Sequence, residues 1–227
     1  MSDISSRLAD IRNRIEIACQ GCGRNPAEVH LLAVSKTKPI SLVEQANRAG
    51  QQDFGENYLQ DALPKAQALA SATWHFIGAI QSNKTRDIAN HFDWVHSVSS
   101  EKVARRLSEQ RDPQLGPLKV LIQVNTSGEE QKGGVSPDKA LTITRFIAEQ
   151  QNLEPMGLMT IPAASDNAEE QREPFRLLRE TRDQIRNATG IEGFVHLSMG
   201  MTGDFEAAIT EGATWIRIGT AIFGSRS

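Results

Sequence analysis

The spacing of apolar positions changes repeatedly along this chain. Between residues 3 and 20, Ile4, Leu8, Ile11, Ile15 and Ala18 recur at intervals of three and four, which lays one apolar stripe along a helix. Gly21 and Gly23 end it. The pattern then becomes the unbroken run Leu31-Leu-Ala-Val34, inside His30-Leu-Leu-Ala-Val-Ser-Lys-Thr-Lys-Pro39. A short branched run of this kind predicts a strand buried on both faces, as in a parallel sheet covered by helices. Helical spacing returns over 39–50 through Leu42, Val43, Ala46 and Ala49, a short strand and turn follows over 52–58, and Leu59, Leu63, Ala66 and Leu69 mark another helix.

The alternation does not stop there. Further strands are predicted over 74–80, 94–98, 119–126, 155–161, 194–198 and 214–220, with helices over 83–91, 100–111, from Pro137 through Ile147, and near 168–188. Ser136-Pro137 supplies an N-cap and a proline at the first helical position. Pro174 is expected in the first turns of its helix or at a kink. Eight strands alternating with helices predict an α/β fold, a (β/α)8 TIM-type barrel with one extra N-terminal helix, forming a single domain over 1–227. An open doubly wound sheet is the alternative. It is disfavoured because no strand-turn-helix carries G-x-G-x-x-G and no strand is left over from the count of eight.

Composition narrows the partners. A net charge of −3, with acids and bases interspersed, gives no nucleic-acid footprint. No apolar run approaches the ~20 residues needed to span a bilayer, and Met-Ser-Asp-Ile-Ser-Ser-Arg lacks a secretory core, so the cytoplasm is the expected location. Cys19 and Cys22 are the only cysteines. They close a helix instead of opening one after a strand, and no further soft ligands lie near, so a metal or redox role is not expected.

Candidate chemistry gathers at the strand ends, where barrels of this class place their sites. Lys36 ends the first apolar run and has two readings: a cation that snorkels to solvent, or an amine available for a Schiff base. After strand seven, Ser198-Met-Gly-Met-Thr-Gly-Asp204 offers a hydroxyl and glycine-flanked amides leading into a helix. After strand eight come Gly219 and Thr220. Two such loops converging on one anion describe a phosphate cradle, although either alone could merely shape a turn. Gly219 to Gly224 mimics a nucleotide phosphate loop, but no Lys-Ser/Thr follows and the chain is expected to end without a helix.

Arg217 alternates with Gly219, so its guanidinium should point to the mouth and must find a carboxylate or a ligand acceptor. Asn57, His75, Asn83 and His196 could add polar contacts or serve only as structural hydrogen bonders. A lysine opposite an anion cradle suits a phosphorylated carbonyl compound. A sugar phosphate in a lysine-dependent aldolase and pyridoxal 5′-phosphate (PLP) both fit.

The chain closely resembles the PLP homeostasis family, the YggS-type PLP-binding proteins. The resemblance is carried by Ala33-Val-Ser-Lys-Thr37, Phe54-Gly-Glu-Asn-Tyr58, Trp74-His-Phe-Ile-Gly-Ala-Ile-Gln-Ser-Asn-Lys84, Leu197-Ser-Met-Gly-Met201 with Asp204, and Arg217-Ile-Gly-Thr-Ala-Ile-Phe-Gly-Ser-Arg226. It implies a barrel like that of alanine racemase, a PLP aldimine on Lys36, and phosphate contacts from Ser198, Met199, Gly200, Gly219 and Thr220. Racemases of that type add a tyrosine from a second domain as an opposing acid/base. The only tyrosine here is Tyr58, expected just after strand two. The expected function is therefore a carrier or buffer of PLP and related B6 vitamers, monomeric and without turnover, that passes PLP to apo-enzymes; a PLP-dependent racemase is the alternative.

Overall fold

Strands buried on both faces need neighbours on both edges, and here they find them in sequence order. The structure is a computed structural model that describes residues 3–129, 132–165 and 167–224. Its strands are β1 (His30–Val34), β2 (Asp53–Glu56), β3 (Thr73–Phe76), β4 (Trp94–Val98), β5 (Leu118–Gln123), β6 (Leu153–Met159), β7 (His196–Ser198) and β8 (Trp215–Ile218). All pair in parallel, and β8 returns to β1 to close the barrel. Helices α2 (Ile40–Arg48), α3 (Leu59–Ala68), α4 (Thr85–His91), α5 (Glu101–Gln110), α6 (Pro137–Ala148), α7 (Ala168–Thr189) and α8 (Phe205–Thr210) connect successive strands. The extra helix α1 (Ile4–Gly21) precedes them, capped by Asp3, whose carboxylate accepts from Ser6 N.

Alternation along each strand divides the apolar residues between two cores. Outward side chains such as Leu31 and Ala33 pack under the helices in the larger core. Inward ones, among them Leu32, Trp94, Leu121, Met159 and Trp215, fill the lumen. Because Leu32 pairs in register with Arg217, the guanidinium is committed to the inside along with the leucine. Helix α1 buries Ile4, Leu8, Ile11 and Ile15 as expected, but its stripe ends on Cys19, with Ala18 only partly covered. Both thiols are free, and Cys22 forms the C-cap.

Several boundaries differ from the sequence expectation for identifiable reasons. Strand β3 stops at Phe76, short of Ile80, because Gly78 crosses the backbone of Asn57; a Cβ at Gly78 would lie 2.2 Å from the Asn57 carbonyl oxygen. On α3 the buried positions are Leu59, Ala62 and Lys65, while Leu63 and Ala66 are only partly covered. A buried carboxylate draws Lys65 inward, as described below. Pro64 and Pro174 both lie inside helices. After β8, Thr220–Phe223 forms one helical turn, α9, where none was expected. Ser225 and Arg226, the end of the last quoted motif, lie outside the described residues, as do Glu130 and Gln131 of the loop after β5.

At Gly157 on β6 the backbone has φ +151°, and a Cβ there would fall 1.9 Å from the carbonyl oxygen of His196 on β7. Gly157→Ala is therefore expected to part β6 from β7 and to destabilise the chain by about 3 kcal/mol or more. Urea denaturation of the variant checks this.

Candidate functional site

The mouth of the barrel is built from the strand ends, and Lys36 sits there because the backbone just before it is tied down. Strand β1 ends at Val34, and Thr37, at φ +63°, is the only non-glycine residue with positive φ among the described residues. Ser35 holds the turn: its N–H donates to Gly55 O at 3.0 Å, and its carbonyl accepts from Lys38 N at 3.1 Å and from Lys65 Nζ at 2.9 Å. Lys65 Nζ also donates to Glu56 Oε1 at 2.7 Å, and Ser35 Oγ donates to the same oxygen at 2.6 Å. Burial pushes the Glu56 carboxyl above its usual range, opposed by the bonds from Lys65 and Ser35. Glu56 and Lys65 were not singled out in the sequence. No local pattern marks the pair, since Lys65 falls outside the expected stripe of Leu59, Leu63, Ala66 and Leu69.

A cavity of about 370 Å³ opens beside this turn. Lys36, Asn57, Arg217, Gly219 and Thr220 all line it, so five of the eight cofactor candidates read from the sequence meet in one place. Ser198, Met199 and Gly200 do not line it. They are buried beneath: Ser198 Oγ accepts from Arg217, Met199 N donates to Trp215 O, and Gly200 O accepts from Arg217 N. A Cβ on Gly200, at φ +90°, would lie 2.6 Å from Ala208 Cβ, so this glycine serves the packing of α8. Met201, Thr202 and Gly203 bring the same loop to the cavity instead. At Gly219 a Cβ would meet Val34 O at 3.2 Å, so the missing side chain holds the end of β8 against the end of β1 and brings Thr220 to the cavity shared with Lys36.

The other candidates separate. Asn83 lies in the 3-10 turn Ser82–Lys84, away from the cavity. Lys84 and Tyr58 line a second cavity of about 500 Å³ that shares only Asn57 with the first. His196 bonds Thr214 Oγ1 at 3.1 Å, and burial lowers its pKa to about 4.

Arg217 is 5% exposed, and burial lowers its pKa to about 10, with the Asp204 carboxylate opposing. Nη1 donates to Ser198 Oγ at 2.9 Å and Nη2 to Thr160 O at 2.8 Å. Those bonds use two of the five N–H donors of a guanidinium. Beneath it, His96 Nδ1 lies 2.9 Å from Ser198 Oγ, His96 Nε2 lies 3.0 Å from His75 Nδ1, and His75 Nε2 lies 3.2 Å from Asp53 Oδ1. Burial lowers the pKa of both histidines.

An amine, a guanidinium, two threonine hydroxyls and a glycine-bearing loop around one cavity fit a ligand with an aldehyde, an acceptor nitrogen and a phosphate. A buried acceptor, Asn57 Oδ1, with no partner among the described residues, is available to a ligand hydroxyl. No cluster of three metal-ligating side chains occurs among the described residues, and no helix of theirs is long and apolar enough to cross a membrane.

Comparisons with known proteins agree with this fold. The family model described as "Alanine racemase, N-terminal domain" matches residues 6–227. The chain is 51% identical over 228 residues to a Pseudomonas aeruginosa protein named pyridoxal phosphate homeostasis protein, covering 100% of this chain and 97% of the relative. An Escherichia coli protein of the same name is 43% identical over 231 residues, covering 100% and 98%. Among solved structures, PipY of Synechococcus elongatus with PLP bound superposes with a TM-score of 0.85 at 34% identity, covering 98% of this chain and 100% of that one.

Lys65→Met leaves Glu56 buried without its cation, and a loss of about 3–5 kcal/mol is expected in urea denaturation at pH 7. Adding Glu56→Gln should recover most of that loss. The histidines set a separate pH dependence. Because His75 and His96 bind protons less readily folded than at their ordinary value of 6.5, the unfolded chain holds more protons below that pH. Stability should be flat in this contribution above pH 6.5 and fall as pH drops, by at most about 1.4 kcal/mol per unit for each histidine. Urea midpoints at pH 7.5 and 5.5 measure it.

Proposed function

We propose that this chain, which belongs to the alanine racemase N-terminal domain family and within it to the pyridoxal phosphate homeostasis proteins, binds PLP on Lys36 and acts as a PLP carrier in the cytosol. The observation that carries the reading is the meeting of Lys36, Arg217, Gly219 and Thr220 on one cavity. It is supported by a relative of the same fold that has been solved with PLP bound. The cofactor supplies an aldehyde that condenses reversibly with an amine, releasing water. Lys36 offers that amine, and Thr220, with the Met201–Gly203 loop, offers donors to the phosphate. The segment of Ser198, Met199 and Gly200 acts from beneath, Ser198 by holding Arg217 and Gly200 by accepting its backbone N–H.

Arg217 can only donate, so it would leave a ligand's acceptor nitrogen unprotonated, and PLP held that way would be a weak electron sink. That favours holding the cofactor over turning over an amino acid. The cavity lining supports the same reading, since Lys36 and Arg217 are the only ionisable groups among the described residues that line it. Tyr58, which could have served as an opposing acid/base, is 58% exposed and lines the neighbouring cavity. The carrier is read as a monomer of one barrel domain that accepts B6 vitamers and hands PLP to apo-enzymes.

The purified protein is expected to be yellow, and borohydride should fix the label on Lys36, read by peptide mass mapping. A label on Lys38 or Lys84 would sink the assignment. Steady racemisation of any amino acid, lost in Lys36→Ala, would replace the carrier with an enzyme. Thr220→Ala is expected to weaken PLP by roughly tenfold, the worth of a charge-assisted hydrogen bond, while leaving pyridoxal unchanged. Equal loss for both in a binding titration would take Thr220 out of the phosphate site.

A further inference from the structure

Arg217 lines the cavity at one end of the barrel, and Asp53 lies at the other. Asp53 opens β2, and its partly exposed side chain lines a separate cavity of about 340 Å³ with Arg12 and Glu16. Between them runs an unbroken series of contacts at 3.2, 3.0, 2.9 and 2.9 Å through His75, His96 and Ser198. His75, His96 and Ser198 are all fully buried. The His75 ring has little freedom to leave this line: Trp94 stacks on it at 7° and 5.7 Å, and Trp215 meets it edge-on at 4.8 Å.

Proton counting gives the series a direction. A guanidinium donates only, so Ser198 Oγ accepts from Arg217 and its own hydrogen goes to His96 Nδ1. A neutral His96 then carries its hydrogen on Nε2 and donates to His75 Nδ1, and His75 donates from Nε2 to the Asp53 carboxylate. The Ser198 hydroxyl and all four ring nitrogens then have partners of the right kind, and neither buried imidazole is charged. The reverse order fails at the end. His75 Nε2 would be a bare acceptor 3.2 Å from a carboxylate oxygen unless the buried ring were charged, and the Ser198 hydrogen would lose His96.

We propose that Asp53 is a positioning residue for Arg217, acting across the lumen through His75, His96 and Ser198. The carboxylate sets both histidine tautomers. The tautomers fix the Ser198 hydroxyl, and the hydroxyl holds the guanidinium on its line. Bonds aligned in this way polarise one another, so an anion at the floor stabilises a cation at the mouth without touching it. The consequence for the cofactor rests on the reading of the cavity as a PLP site; the tautomers and the guanidinium do not. His75 is also faced by Asp93 and His30, and His96 by His196, so the pH response of the series includes those groups.

The test uses the full chain, first without PLP. Nitrogen-15 NMR of labelled histidine and arginine is expected to show His75 and His96 both protonated on Nε2, and separate, slowly exchanging guanidinium signals for Arg217. A hydrogen on His96 Nδ1 in the unmodified protein overturns the proposal and requires no variant. In Asp53→Asn the tautomers should mix and the Arg217 signals should merge, whereas Asp53→Glu should restore both. Unchanged Arg217 signals in a folded Asp53→Asn protein overturn it equally. With PLP added, the pH at which the bound chromophore changes absorbance should move in Asp53→Asn by about half a unit or more, roughly a threefold change in proton affinity. If PLP does not bind at all, the proposed function fails, and the relay is still decided by the signals of the unliganded chain.

Discussion

A guanidinium inside a closed barrel is the constraint on which the rest of the lumen depends. Moving such a charge out of water is costly unless acceptors surround it. Arg217 cannot escape, because its register opposite Leu32 faces it inward and strand closure leaves no edge to swing past. The interior is therefore not the wholly apolar plug that barrel packing favours. Thr160 O, Ser198, His96, His75 and Asp53 form a polar column, with Trp94, Trp215, Leu121 and Met159 in the lumen beside it. Four of the chain's five histidines lie on barrel strands, and three of these take part in ring contacts with Trp94.

The same logic operates on a smaller scale beside Lys36. The buried Glu56 carboxylate needs a cation and takes Lys65 from α3, and Lys65 spends a second hydrogen on the carbonyl of Ser35. The turn that presents Lys36 is thus anchored to β2 and α3 as well as to its own strand. A pair of opposite charges that contributes little net stability can still select one geometry for a backbone turn. Gly219 completes the arrangement by letting β8 close on Val34. Three neighbouring elements are tied to one turn, which is the kind of supporting shell that the covalent site proposed on Lys36 requires.

Much of this was legible in the order of residues. Alternating periods of 3.6 and of short apolar runs give eight strands and their helices, and an eightfold count with short connections leaves closure as the natural outcome. Lys36, Asn57, Gly219 and Thr220 follow strands and Arg217 lies one residue before the end of β8, so the convergence of strand ends brings all five to one cavity. Periodicity alone also made Arg217 inward-facing. Boundaries were less legible: β3 ends early because Gly78 must pass the Asn57 backbone, a contact between distant segments that no local pattern announces.

Local spacing and strand order are therefore enough to give the fold, the end of the barrel where the cavity opens, and the lysine and arginine that line it. Which residues become partners is a matter of the folded barrel. Lys65 reads as a solvated helix lysine until Glu56 is seen 2.7 Å away, and Ser198 reads as a ligand contact until its hydroxyl is found facing Arg217 and His96. Asp53 and Arg217 stand 164 positions apart in a chain of 227, and nothing in their spacing links them. Desolvation forces each buried polar group to take whichever acceptor or donor the closed barrel brings within reach, and reach is set in three dimensions.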